Sequence, residues 1–333
     1  ELTAVPESTG PNAMTGDEYA QRLGVLSEMA SGWRLMLRRW SLMNRGARSE
    51  VRNPFGMPGG VWPSFNSALE PVRHRTNSWS EIDLATYRWR VVRPPRDLYQ
   101  SFWTRIAAAG RQVAAVDVPF AWAAGEPNCL ELYEWGTHDR HSGLHSEPPR
   151  YAREIEARFG LHPVFGKRAH RQWHETADDF LHRRGLYRTL AEEERLLADL
   201  MEGVKRKGEV LRTLLGERKW DLFIGVFSES HSVGHQFWHV HDPAHPRHDP
   251  ARRARLGDPL LAVYRALDAE IGRLAEAAGP DVLLLVHLSH GMAAHYDGTV
   301  LLDEVLERIE GIEAAGVGAT LRRTVKAQLS RVR

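Results

Sequence analysis

Two histidines, His231 and His235, stand four residues apart in Ser228-Glu-Ser-His-Ser-Val-Gly-His235. On a helix that spacing sets both imidazoles on one face, which suits two ligands of one divalent ion. A second pair, in Ser289-His290-Gly-Met-Ala-Ala-His295, offers a further ligand in His290 or His295. The third reactive position is Ser64, in Val61-Trp-Pro-Ser64-Phe. A serine hydroxyl needs an activating base or a metal before it attacks phosphorus or sulfur at neutral pH. Each position also has a plainer reading: Ser64 as the cap of a following turn, the histidines near Phe237 and Trp238 as packed or surface groups. His239, His241, His245 and His248 lie among Pro and Asp and read as surface-loop residues rather than ligands. Arg73 and His74 follow Ser64 and either help to bind an anionic substrate or belong to a solvated turn. Trp62 and Trp238 flank these motifs and read first as core packing.

These residues need a scaffold, and the apolar pattern supplies one. Residues 220–227 and 281–288 are near-continuous apolar runs, as in parallel strands buried on both faces. The first runs into His231 and His235, the second into His290 and His295. In open α/β sheets, ligands bind beyond the carboxyl ends of such strands. Further strands are expected at 112–118, ending in Asp117-Val-Pro, and at 130–135. Helical spacing marks 17–48, 98–110, 151–159, 189–218, 258–278 and 301–309. Pro- and Gly-dense 51–76 and polar 138–149 read as loops. The pattern is α/β: a central, mostly parallel sheet flanked by helices on both faces, a three-layer sandwich. Residues 1–16 read as a flexible tail and 17–333 as a single domain.

Composition narrows the partners. Lys plus Arg number 44 against 43 Asp plus Glu, a net charge of +1. That balance gives no global electrostatic case for nucleic acid or an anionic membrane. A single cysteine, Cys129, excludes an intrachain disulfide. No apolar stretch approaches the ~18 residues of a spanning helix, and the first residues lack a signal-peptide pattern. The expected setting is cytoplasmic, with no membrane and no nucleic acid as partner; the oligomeric state stays open. Histidine, at 17 residues, is the feature in excess.

At these motifs the chain resembles the alkaline phosphatase-like superfamily, in particular its type I phosphodiesterase/nucleotide pyrophosphatase branch. The resemblance runs from about residue 46 to 309. It is carried by Asn53-Pro-Phe-Gly-Met, Val61-Trp-Pro-Ser-Phe-Asn-Ser-Ala-Leu-Glu-Pro-Val-Arg-His, the segment from Phe102-Trp to Val116-Asp-Val-Pro, Glu134-Trp-Gly-Thr-His-Asp, Phe227-Ser-Glu-Ser-His-Ser-Val-Gly-His-Gln-Phe-Trp and His290-Gly-Met-Ala-Ala-His-Tyr-Asp-Gly. It implies a hydrolase of phosphodiesters or phosphomonoesters, or of the related sulfate esters, that uses divalent metal, commonly zinc, with manganese as an alternative and one or two ions bound. It implies Ser64 as nucleophile and His231, His235, His290 and His295 as metal ligands.

The chain also departs from the family pattern. His231 stands where an Asp is usual, and Ser289 replaces the Asp before His290. A neutral hydroxyl is a far poorer ligand for a divalent ion than a carboxylate. No apolar strand ending in an acidic metal site precedes Asp17. The alternative expectation is therefore a catalytically degenerate member that binds a ligand or acts as a scaffold.

Overall fold

The computed structural model describes residues 60–74, 76, 80–83, 88–91, 100–138, 143–166, 189–288 and 309. The expectations for the 1–16 tail, the 17–48 helix, nearly all of the 301–309 helix, and His290 and His295 lie outside them.

The chain order begins with helices α1 (Val61–Ser67) and α2 (Pro71–His74), then strands β1 (Ser80–Asp83) and β2 (Arg88–Val91), then α3 (Phe102–Ala108). Strands β3 (Val113–Val116), β4 (Cys129–Tyr133) and β5 (His145–Glu147) follow, then α4 (Arg150–Phe159), α5 (Leu190–Leu215) and β6 (Leu222–Gly225). The last described helices are α6 (Glu229–His241), α7 (Pro250–Leu256) and α8 (Pro259–Ala278). Strands β1 and β2 form a separate antiparallel pair. The main sheet has the order β5-β4-β3-β6. Strand β3 is parallel to β4 and to β6, with Val113 opposite both Cys129 and Leu222, and β5 is antiparallel. The carboxyl ends of β3, β4 and β6 therefore share one edge.

The period-2 rule sorts the core. Ala114, Val116, Leu130 and Leu132 point to one face and pack with Tyr151 and Ile155 of α4 and Val210, Leu211 and Leu214 of α5. Val113, Ala115, Cys129 and Tyr133 point to the other and meet Trp103 and Ala107 of α3, with Trp62 and Phe65 of α1 against them. Helices thus cover both faces, as the α/β reading requires. A third cluster joins α5, α6 and α8 through Leu200, Val204, Val233, Phe237, Leu260 and Val263. The long helices begin where their caps say. Thr189 and Glu192 close a reciprocal capping box on α5, and Asp258 caps α8 ahead of Pro259.

Three expectations need correction. The stretch read as loop over 51–76 holds α1 and α2 among its described residues. Its prolines misled: Pro63 and Pro71 lie in first turns, where a missing N–H costs no intrahelical bond. The polar loop over 138–149 contains β5, too short to show a periodic signal. The expected strand over 281–288 is not formed. Leu283 is 90% exposed and Leu285 82%. Strand β6 is only half-buried itself, and an apolar run is buried only where an edge pairs with it and a helix covers it.

Candidate active site

Ser64 lies inside α1, not at its cap. Its carbonyl accepts the Ala68 N–H, and the side chain is half-buried. Its Oγ is 2.9 Å from Nε2 of His74, a ring with no exposed surface. The other ring nitrogen, Nδ1, accepts the Thr76 backbone N–H at 3.1 Å. Burial pulls the His74 pKa below the ordinary histidine value. The reading of 73–74 as a solvated turn holds for exposed Arg73 and fails for His74.

Helix α1 is fixed to the sheet edge. Asn66, fully buried, donates from Nδ2 to the Pro119 carbonyl at 2.8 Å, just beyond β3. Phe65 meets Phe102 edge-to-face at 5.5 Å between ring centroids and stacks on His287 at 5.6 Å. The segment that leads to His290 therefore runs past the helix that carries Ser64.

The expected turn at 231–235 is the start of α6, and it brings the two histidines together. Their ring centroids lie 4.4 Å apart. A third imidazole, His138, leaves the end of β4 and comes to 4.6 Å from His231 and 6.3 Å from His235. His138 was visible in sequence only as part of Glu134-Trp-Gly-Thr-His-Asp, with no spacing to connect it to residue 231. Among the described residues, no group of three His, Cys, Asp or Glu side chains is arranged to hold a metal ion as it stands. The donor set of three imidazoles is nonetheless of the kind that suits zinc and similar ions.

Below this cluster lies a closed ionic layer that sequence reading missed. Glu229, in the first turn of α6, meets Nε2 of His162 at 2.9 Å, and neither side chain is exposed. Lys207 of α5 pairs with Asp117 at the end of β3, again with neither exposed. The Asp117 carboxylate also accepts the backbone N–H groups of Trp135 at 2.9 Å and Gly136 at 2.8 Å, tying the β3 and β4 exits together. Burial lowers the Lys207 pKa, and the charge of Glu229 opposes that shift. Glycines make the close approach possible. A Cβ at Gly203 would come within 2.7 Å of His162, and one at Gly136 within 2.8 Å of both His162 and Lys207.

The remaining histidines of the 239–248 stretch do structural work, as read from sequence, though the first two are buried rather than in a surface loop. His239 meets Glu193 at 3.2 Å and His241 meets Asp258 at 3.0 Å. Nδ1 of His245 accepts the Arg247 N–H at 3.1 Å, and Nδ1 of His248 lies 3.0 Å from the His239 carbonyl. Burial alone would raise the Asp258 carboxyl, but hydrogen bonds from His241 and the Leu261 N–H, with Arg253 nearby, bring it down to about 2.

No helix among the described residues is long and apolar enough to cross a membrane. A search among curated proteins finds no match, and neither does one among solved structures. The sequence pattern of one family, type I phosphodiesterase / nucleotide pyrophosphatase, matches residues 62–332. Its span takes in Ser64, His138, His231 and His235 together with the mixed sheet whose parallel exits position them. The chain belongs to the type I phosphodiesterase/nucleotide pyrophosphatase family of phosphoric-ester hydrolases, within the alkaline phosphatase-like superfamily.

Proposed function

We propose that this chain is a metal-dependent hydrolase of small-molecule phosphodiesters or phosphomonoesters, with sulfate esters as the related alternative, and that Ser64 is its nucleophile. The observation that carries the reading is the gathering of His138, His231 and His235 at the sheet edge to which Asn66 also fastens the Ser64 helix. His231 and His235 would hold a divalent ion of the zinc type, with manganese as the alternative; His138 is within their cluster, and His290 and His295 remain proposed ligands. Bound there, the ion would supply positive charge where negative charge develops during displacement. The chain's own contribution is position. Helix α6 is held on its buried ionic layer, and Ser64 is half-open to an incoming ester.

Turnover of a chromogenic phosphodiester, with and without chelator, tests the reading, alongside elemental analysis of protein purified without chelator. Chelator-sensitive turnover that disappears in Ser64→Ala supports it. Turnover that survives either treatment removes the stated mechanism. The second reading, a degenerate member that binds its ligand without turnover, rests on Ser289 and His231 standing where the family has Asp. Metal-free, inactive protein that still binds a phosphate ester would favour it.

A further inference from the structure

We propose that His74 is a fixed hydrogen-bond donor that positions the Ser64 hydroxyl, its Nε2–H directed at Oγ, and that it is not the base that removes the serine proton. The inference rests on the reading of Ser64 as nucleophile and says what stands behind it.

A serine oxygen 2.9 Å from a histidine nitrogen looks at first like a nucleophile–base pair. The second ring nitrogen decides otherwise. A backbone N–H can only donate, so the Thr76 N–H at 3.1 Å from Nδ1 requires a lone pair there. A neutral imidazole carries one proton, which must then be on Nε2. The opposite tautomer would set two N–H groups against each other and leave the buried Thr76 N–H without its acceptor. The doubly protonated ring would meet the same conflict. It would also put a charge where His74 has no exposure to water, in line with the lowered pKa.

The turn is closed around this arrangement. The Thr76 hydroxyl donates to the His74 carbonyl at 3.2 Å, and the His74 N–H donates to the Glu70 carbonyl at 3.1 Å. With Nε2–H occupying a lone pair of Oγ, the hydroxyl proton is turned away from His74. Negative charge that develops on Oγ meets a preset donor, and a hydrogen bond to a charged oxygen is about twice as strong as one between neutral groups. The geometry is that of an alkoxide stabiliser.

The ring tautomer is read directly from ¹⁵N chemical shifts of the His74 side chain in the intact protein. The Nε2–H form is expected, and the Nδ1–H form would overturn the proposal. Kinetics supply the second measurement. His74→Gln keeps an N–H near the Nε2 position and is expected to hold kcat for a chromogenic phosphodiester within about threefold. His74→Phe fills the space without a donor and is expected to lower kcat by about 10- to 100-fold at similar KM. Equal kcat in His74→Phe and wild type, with both folded by circular dichroism, would overturn the positioning role. An inactive protein with the Nε2–H ring removes the hydrolase reading alone; an active protein with the Nδ1–H ring removes this one alone.

Discussion

The two sides of the candidate site are built on different principles. The histidine side hangs on one long element held at both ends. The first turn of α6 is fixed through Glu229 to His162, and its last turn through His241 to Asp258. Behind it Lys207 and Asp117 are sealed from water. The serine side is made of two short helices joined by local hydrogen bonds, Ser64 to His74 and His74 to Thr76. Its neighbour is the exposed apolar segment that carries Leu283 and Leu285. Buried charge joins the histidine side to distant strands, whereas the Ser64–His74 contact is made within a turn of about a dozen residues and its helix is tied to the sheet edge by the neutral Asn66–Pro119 hydrogen bond.

Removing Lys207 is expected to have the largest effect on the histidine side. Lys207→Met leaves Asp117 as a buried carboxylate without its cation and removes the positive charge that acts on buried Glu229. The expected loss is about 3–5 kcal/mol of stability in urea denaturation. A loss below about 1 kcal/mol would mean that the ionic layer does not hold α6.

On the serine side, Ser64→Ala is expected to lower turnover of a phosphodiester by about a thousandfold, equivalent to about 4 kcal/mol of barrier. On the metal-dependent reading it should leave bound metal close to wild type, since the layer beneath α6 is untouched, and lower stability by about 1–3 kcal/mol because the buried His74 Nε2–H loses its acceptor. On the metal-dependent reading, loss of bound metal in Ser64→Ala would show that the two sides are not separately built.

The far end of α6 gives a smaller, pH-dependent effect. The Asp258 carboxyl lies at about 2 in the folded chain, below the ordinary aspartate value of about 3.9. The folded state therefore binds fewer protons than the unfolded state between those values. The stabilisation is complete above about pH 4 and is lost as pH falls toward 2. Asp258→Asn keeps a capping side chain and should cost about 2 kcal/mol at pH 7, with the difference vanishing near pH 2. Denaturant midpoints measured from pH 7 to pH 2 check it.

The least effect is expected beside Ser64. Leu285 is 82% exposed, so Leu285→Asp should change stability by no more than about 0.5 kcal/mol. A loss of several kcal/mol would show that segment 281–288 is buried in solution after all.

Much of the scaffold was legible because its signals are local. The helical spacing over 189–218 marked α5, and the strand expected over 112–118 marked β3. The i, i+4 spacing of His231 and His235 placed them on one face, and α6 bears that out. The same reasoning failed at 281–288, whose sequence is as apolar as that of β3. An apolar run specifies extended backbone and a need for burial, but not which edge will accept it. The Ser64–His74 contact was not legible either. A gap of ten residues interrupted by Pro71 has no periodicity, and only the turn at Thr76 brings the ring back onto the serine.

By itself the sequence determined the α/β class, the family, and the placement of His231 and His235 just beyond a strand, with Ser64 as a candidate nucleophile. These follow from periodicity and residue type, which act over a few neighbours. Only the tertiary structure decided that His138 joins the two histidines, that Asp117, Lys207, His162 and Glu229 form a closed layer beneath them, and that His74 faces Ser64 through Nε2. Each of those contacts joins groups whose separation along the chain carries no pattern. They meet because parallel strands deliver their exits to one edge, and because a charge or hydrogen-bonding group taken out of water must find its partner there.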